Sequence, residues 1–141
     1  MRLADLTESL GTEERRAFMV LHEAESAEYE RLGLRRFPLL DWGGIDWPRC
    51  GSLKQALTAG EVEAAELMGA WLSEVSAQSS LVVVFWGNIV VPAVAMTSSS
   101  AAAHAEEILY TSDDVWVFAV DEGVLIEYLH DGCLTMGRVP D

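Results

Sequence analysis

A six-residue apolar run, Leu81–Trp86, places the strongest constraint on how this chain can fold. The run is rich in valine and does not alternate between apolar and polar residues, which is typical of a strand buried on both faces. Four further strand-like segments follow, at 89–96, 115–120, 124–130 and 133–139. Short turns separate most of them, and short turns join antiparallel neighbours. The second half of the chain therefore predicts a mainly antiparallel sheet.

The first half has the spacing of helices. Apolar residues recur every three or four positions between Thr12, a predicted N-cap, and Gly33, a predicted C-cap. A capping-box pattern at Ser52 and Gln55 predicts a short helix over 53–57. Glu61 to Val75 carries the apolar stripe of a third helix.

These elements predict an α+β fold with the order α-α-α-β-β-α-β-β-β, in which residues 101–109 supply the one helix of the second half. The N-terminal helices would pack on one face of the sheet. At 141 residues, the length is that of one domain. We therefore expect a single domain over 1–141, with a helical part at 1–78 and a sheet part with one helix at 79–141.

The charge balance constrains the partners. Asp and Glu number 23 against 9 Lys and Arg, so the formal net charge is -14. Such a field repels a phosphate backbone and an anionic membrane surface, so we expect neither as a partner. It attracts a basic protein and accelerates the encounter with it. Net charge also keeps small proteins soluble, and this simpler interpretation stays open.

The cysteines and the apolar segments point to the cytoplasm. Cys50 and Cys133 form no C-x-x-C pair, and two reduced, buried thiols are expected. The first ten residues lack the apolar core of a signal peptide. The apolar stretch from Leu81 to Met96 is too short and too interrupted to cross a bilayer.

The loop at 34–48 is the first candidate binding element, because it places two indoles and two carboxylates close together. The residues are Asp41, Trp42, Asp46 and Trp47. Trp supplies contact area and Asp can pair with Lys or Arg, so the loop could anchor a cationic protein surface. Alternatively, the loop folds back and the two tryptophans fill the core.

Acidic turns offer a second candidate surface, formed by Asp113, Asp114, Asp121 and Glu122. Ordinary turn chemistry explains these residues equally well. Glu127 interrupts an apolar strand, and a buried carboxylate would need a partner or a raised pKa. The simpler expectation places Glu127 on an open face of the sheet beside Leu125 and Leu129, where it would contact a partner.

Catalytic and metal-binding motifs are incomplete. His104-Ala105-Glu106 matches the first half of the zinc deaminase motif, but the P-C-x-x-C that supplies two thiolates is missing from the sequence. We therefore expect no catalytic residues, metal or cofactor. A small divergent hydrolase that uses His104 and Glu106, or Glu127 and His130, is the alternative function. An assembly subunit is a third possibility, and the oligomeric state is left open.

The chain resembles the small acidic immunity proteins of bacterial toxin systems, such as contact-dependent inhibition. The resemblance rests on size, acidity and the C-terminal pattern Trp116-Val-Phe followed by Leu125-Ile-Glu-Tyr-Leu-His-Asp-Gly. It implies a cytoplasmic inhibitor that binds one basic toxin domain and occludes its active site. It assigns no individual binding residue.

Overall fold

The computed structural model describes residues 3–87 and 91–141, which form seven helices and seven strands. The helices are α1 (Leu3–Ser9), α2 (Thr12–Ala17), α3 (Glu23–Leu32), α4 (Trp47–Cys50), α5 (Glu61–Val75), α6 (Ser98–Ala103) and α7 (Ala105–Tyr110). The strands are β1 (Met19–Val20), β2 (Lys54–Leu57), β3 (Leu81–Trp86), β4 (Val94–Thr97), β5 (Val115–Ala119), β6 (Val124–Tyr128) and β7 (Cys133–Arg138). A 3-10 turn over Leu34–Arg36 follows α3.

All seven strands join one antiparallel sheet, in the order β1-β4-β3-β5-β6-β7-β2. The predicted α+β class is confirmed, and the strand Leu81–Trp86 and the helix Glu61–Val75 have the predicted bounds. Thr97 caps α6, since its hydroxyl accepts a hydrogen bond from the Ser100 amide at 3.2 Å. Asn88 and Ile89, in the predicted turn and strand after Trp86, lie outside the described residues.

Both faces of the sheet are covered, so the expectation of helices on one face alone is wrong. Helix α5 packs with α6 and α7 over one face, around Met68, Leu72 and Ile108. The other face is covered by the segment from α3 to α4, which contributes Phe37 and Trp47 to a second core. Strand β3 lies between the two cores, which explains why its sequence is continuously apolar.

Three further local expectations are wrong. The helix predicted over 12–32 is interrupted, because Met19 and Val20 pair with β4 as an edge strand. The helix predicted over 53–57 is strand β2, which pairs with β7 and forms one edge of the sheet. The helix predicted over 101–109 breaks at His104 into α6 and α7. In each case tertiary contacts override a local signal.

Two observations concern the thiols and membrane insertion. Both cysteines carry free thiols, but neither is fully buried: Cys50 is exposed and Cys133 half-buried. Burial of both thiols was therefore a wrong expectation. Among the described residues, no helix is long and apolar enough to cross a membrane.

Candidate functional site

The loop expected at 34–48 contains a small hairpin, residues 38–46, which we call the Trp42 hairpin. Leu39 and Ile45 form an antiparallel bridge. The Asp46 amide donates to the Pro38 carbonyl at 2.8 Å, and the Leu40 amide donates to the Gly44 carbonyl at 2.7 Å. The turn at Gly43 has a φ of 102°, a backbone conformation that favours glycine. The chain therefore closes a tight, regular turn around Trp42.

One buried carboxylate holds the base of this hairpin on the sheet. Glu127, on β6, is 1% exposed and accepts three hydrogen bonds. The Ile45 amide donates to Oε2 at 2.8 Å, and the Trp47 indole donates to Oε1 at 2.9 Å. The Trp116 indole, on β5, donates to Oε2 at 2.9 Å. We call this group the Glu127 clasp.

The chemistry of the clasp suits an ionised carboxylate. A carboxylate only accepts hydrogen bonds, and all three surrounding groups are N–H donors. Burial nevertheless raises the pKa of Glu127 above its ordinary value, and the three hydrogen bonds offset that effect only in part. The nearby charge of Asp114 raises the pKa further. Burial of the Glu127 charge is thus unfavourable in itself, and two of the three hydrogen bonds that offset it come from the loop.

The expectation that Glu127 lies on an open face is wrong, because the Trp42 hairpin and α4 cover that face. Leu125, two residues earlier on β6, is also fully buried there. A partner therefore does not reach Glu127 in this conformation. Its role is to position the hairpin that covers it.

Trp47 fills the second core, as the alternative interpretation of the loop required. It is 8% exposed, and its ring packs edge-on against Phe37 with 5.4 Å between centroids. The ring also lies against Gly137 of β7, where an added Cβ would come within 2.4 Å of Trp47 Cζ3. Only glycine gives the indole this close approach to the strand.

Trp42 has the opposite environment at the tip of the hairpin. Its side chain is 58% exposed, and Asp41 beside it is exposed as well. Leu39 and Leu40 are also exposed, so the tip combines apolar side chains with a carboxylate. The indole lies over Gly44, since an added Cβ there would come within 2.0 Å of Trp42 Cη2. The loop thus buries one tryptophan and presents the other.

The remaining acidic residues do not form one continuous surface, because the two pairs lie at opposite ends of β5. Asp113 and Asp114 precede β5, near the strand end at which Trp116 binds Glu127. Asp121 and Glu122 follow β5, at its other end. Five strand residues separate the two pairs, which corresponds to roughly 20 Å along the strand. Glu122 is half-buried and accepts a hydrogen bond from Ser80 at 3.2 Å.

The histidines named for a catalytic alternative have carboxylate partners. His104 Nε2 lies 2.9 Å from Glu14 Oε2, and its Nδ1 lies 3.3 Å from the Ser9 hydroxyl. Bonding to His104 and to the Gly11 amide lowers the pKa of Glu14, with the amide the larger cause. Glu106, the other member of that pair, is exposed. His104 therefore joins α2 to the start of α7.

His130 is exposed, and its Nδ1 lies 3.0 Å from Asp114 Oδ1. That hydrogen bond and the charge of Asp114 raise the pKa of His130. Glu127, its proposed catalytic partner, is sealed beneath the hairpin. In the part of the chain that the structure describes, no group of three or more His, Cys, Asp or Glu residues is arranged to hold a metal ion.

Sequence reasoning missed Trp116 and the Ile45 amide as partners of Glu127. The available signal was the acidic residue inside an apolar strand of a tryptophan-rich chain. Trp116 lies directly opposite Glu127 in the β5–β6 register, in the pattern that carried the family resemblance. A buried carboxylate accepts hydrogen bonds and an indole N–H donates one, so two such residues on opposite strands can bond to each other. Buried tryptophan N–H groups usually have a hydrogen-bond acceptor.

Comparison with protein families places the chain among known immunity proteins. Residues 5–137 match the family model described as CdiI immunity protein EcoliA0-like. The match includes the Trp42 hairpin, the Glu127 clasp and all seven strands except Arg138, the last residue of β7. No curated protein shows a match to the chain.

Proposed function

Because this chain belongs to the CdiI immunity protein family, we propose that it neutralises one basic toxin by binding it through the Trp42 hairpin and occluding its active site. Family membership implies the toxin-neutralising role itself. The mode of binding, the basic character of the toxin and a site of action in the cytoplasm are our proposals.

One observation carries the choice of surface: the hairpin presents an exposed tryptophan from a base that is buried and hydrogen-bonded. A large exposed aromatic side chain costs little conformational entropy on binding and is the commonest type of interface anchor. Two hydrogen bonds of the clasp, from the Ile45 amide and the Trp47 indole, fix the base of the hairpin before the partner arrives, which lowers the ordering cost of association. Asp41 at the tip supplies a carboxylate for a Lys or Arg of the toxin.

The electrostatic field supports a basic partner. A net charge of -14 accelerates the approach of a cationic protein, and the acidic pair Asp113 and Asp114 lies near the strand end that carries the clasp. Asp121 and Glu122 would contribute to this long-range attraction and not to direct contact at the hairpin. The protein would act by binding, without a cofactor or a catalytic group of its own.

The experiment begins with a tagged chain used to capture its partner from the native host, with elution by salt and identification by mass spectrometry. The captured protein is then expressed in a test strain, with and without this chain. Growth arrest by the partner alone and normal growth on co-expression would support the proposal. A partner that does not arrest growth, or arrest that the chain does not relieve, would contradict it.

A further inference from the structure

Strand β2 forms one edge of the sheet, and its outer side carries unpaired backbone groups. The Thr58 amide donates to the Gly132 carbonyl at 2.8 Å. Backbone amides alternate in direction along a strand, so Ala56 and Lys54, two and four positions before Thr58, also direct their amides toward β7. The backbone groups of Gln55 and Leu57 therefore point away from the sheet. Within the described residues, no strand pairs with that side.

The side chains of this edge are unusually apolar for a free surface. Leu57 is 78% exposed and Leu53, just before the strand, is 50% exposed. Leu57 lies on the same side of the strand as Gln55, whose side-chain amide donates to the Thr135 hydroxyl at 3.2 Å. Thr135 lies opposite Glu127 in the register, so this strip shares a sheet face with the clasp and the Trp42 hairpin above it.

Edge strands in soluble proteins are usually protected by an outward charge, a proline or a bulge. Strand β2 has one charged residue, Lys54, and its ammonium is directed back over the sheet. It forms an ion pair with Glu74 of α5 and lies 6.0 Å from the centroid of the Trp71 ring. No charged side chain therefore shields the outward-facing backbone groups of β2, as is the case at sheet edges that accept an added strand.

The charge around β2 decides which strand would fit. The Glu63 carboxylate accepts from the Ala59 amide, two residues beyond Leu57. The Asp131 carboxylate accepts from the amide of Cys133, which lies opposite Leu57. A second copy would bring a further charge of -14 to this edge, whereas a cationic strand would pair with these carboxylates.

We propose that β2 receives an extended segment of the basic toxin, which adds to the sheet as an eighth, antiparallel or parallel strand beside Gln55 and Leu57. The added strand would place apolar residues against Leu53 and Leu57, and Lys or Arg near Glu63 and Asp131. This inference rests on the proposed function, and it gives the toxin a second contact on the sheet face that carries the Trp42 hairpin.

The test compares two edge variants of the full chain, Leu57→Lys and Met19→Lys. Met19 is 55% exposed on β1, the opposite edge, and both variants change the net charge equally. Binding to the toxin is measured by titration calorimetry, and folding by circular dichroism. We expect Leu57→Lys to weaken binding by about tenfold or more and Met19→Lys by less than about threefold.

Hydrogen exchange on the wild-type chain supplies a second readout that needs no variant. On binding, the amides of Gln55 and Leu57 should gain about tenfold or more protection. If the toxin binds but these amides exchange as in the free chain, the edge proposal is overturned while the immunity function stands. Protection that depends on the concentration of the free chain would assign the edge to a second copy and overturn it as well. A wild-type chain that binds no toxin overturns the proposed function itself.

Discussion

The indole of Trp47 donates a hydrogen bond to the carboxylate of Glu127 at 2.9 Å, although 80 positions separate the two residues in the chain. This contact joins the element that presents Trp42 to the centre of the sheet. Both residues are nearly inaccessible to solvent, so the bond forms in a region where its loss is costly. The position of the exposed tryptophan thus depends on a buried acid.

Replacing Glu127 should destabilise the fold. Glu127→Ala leaves three buried N–H donors without an acceptor, and each costs about 1–3 kcal/mol. We expect the free energy of unfolding, measured in urea, to fall by about 3 kcal/mol or more. Glu127→Gln keeps the volume and one carbonyl oxygen, so its loss should be smaller. Equal stability of the wild-type and Ala variants would contradict the clasp.

The clasp also predicts a pH dependence. Burial raises the folded-state pKa of Glu127, so its contribution to stability is fully present below the unfolded-state pKa and is lost as pH rises through the folded-state value. The stability of the wild-type chain relative to Glu127→Gln should therefore decline as pH rises above about 4.3, the ordinary pKa of Glu. Urea unfolding of both proteins across this range measures the difference, in which the other carboxylates cancel. If the stability of the wild-type chain relative to Glu127→Gln instead increased with pH, the folded protein would favour the ionised carboxylate, and the pKa of Glu127 would be lowered and not raised.

Trp42 should matter for binding and little for stability, because its side chain is exposed. We expect Trp42→Ala to weaken toxin binding by about 2 kcal/mol or more, close to 30-fold, with an almost unchanged melting temperature. Met19→Ala, at a similarly exposed apolar residue on the opposite edge, serves as the control and should change binding little. Equal effects of the two variants would exclude a special role for the hairpin.

Gly44→Ala tests the orientation of Trp42 without removing it. The new methyl group would occupy the space of the indole, and the exposed ring can move away at small cost. We expect weaker binding, in the same direction as Trp42→Ala, while the protein stays folded by circular dichroism. Unchanged affinity would mean that the toxin does not require the indole in this position.

The carboxylates of the loop should control the association rate. Asp41→Lys combined with Asp46→Lys reverses the charge at the hairpin, so the rate constant for association should fall, by about tenfold at low salt. The rate for the wild-type chain should itself decrease as ionic strength rises, since salt screens exposed charges. Stopped-flow measurements at several salt concentrations check both statements. An association rate that responds neither to salt nor to these substitutions would contradict the proposed surface.

Sequence periodicity correctly predicted the elements in which the apolar residues of the pattern are also the residues buried in the fold. Leu81–Trp86 and Glu61–Val75 have strong apolar patterns, and the fold uses both. Residues 53–57 carry a helical capping signal, but Ala56 packs against the core beneath α5 and the backbone completes the sheet beside β7. The free energy gained when β2 pairs with β7 exceeds the weak local preference for a helix. A local sequence pattern does not predict this pairing, because β7 is distant in the sequence.

The candidate site was predicted in part. Its loop, tryptophans and carboxylates were visible in the sequence, but their different environments were not. Trp42 and Trp47 each follow an aspartate, and it is the contacts of Trp47 with Phe37, Glu127 and Gly137 that distinguish the buried indole from the exposed one. That contact depends on the register of β6 and β7, which a hydrophobic pattern alone does not establish.

The most direct test is a titration of the toxin's activity with the purified chain. If the chain neutralises its toxin by occupying the active site, activity should fall linearly and reach its minimum at one chain per toxin, and Trp42→Ala should shift the curve to higher concentrations. Inhibition at much less than one equivalent would indicate catalysis by the chain. Full toxin activity in the presence of excess chain would contradict the account.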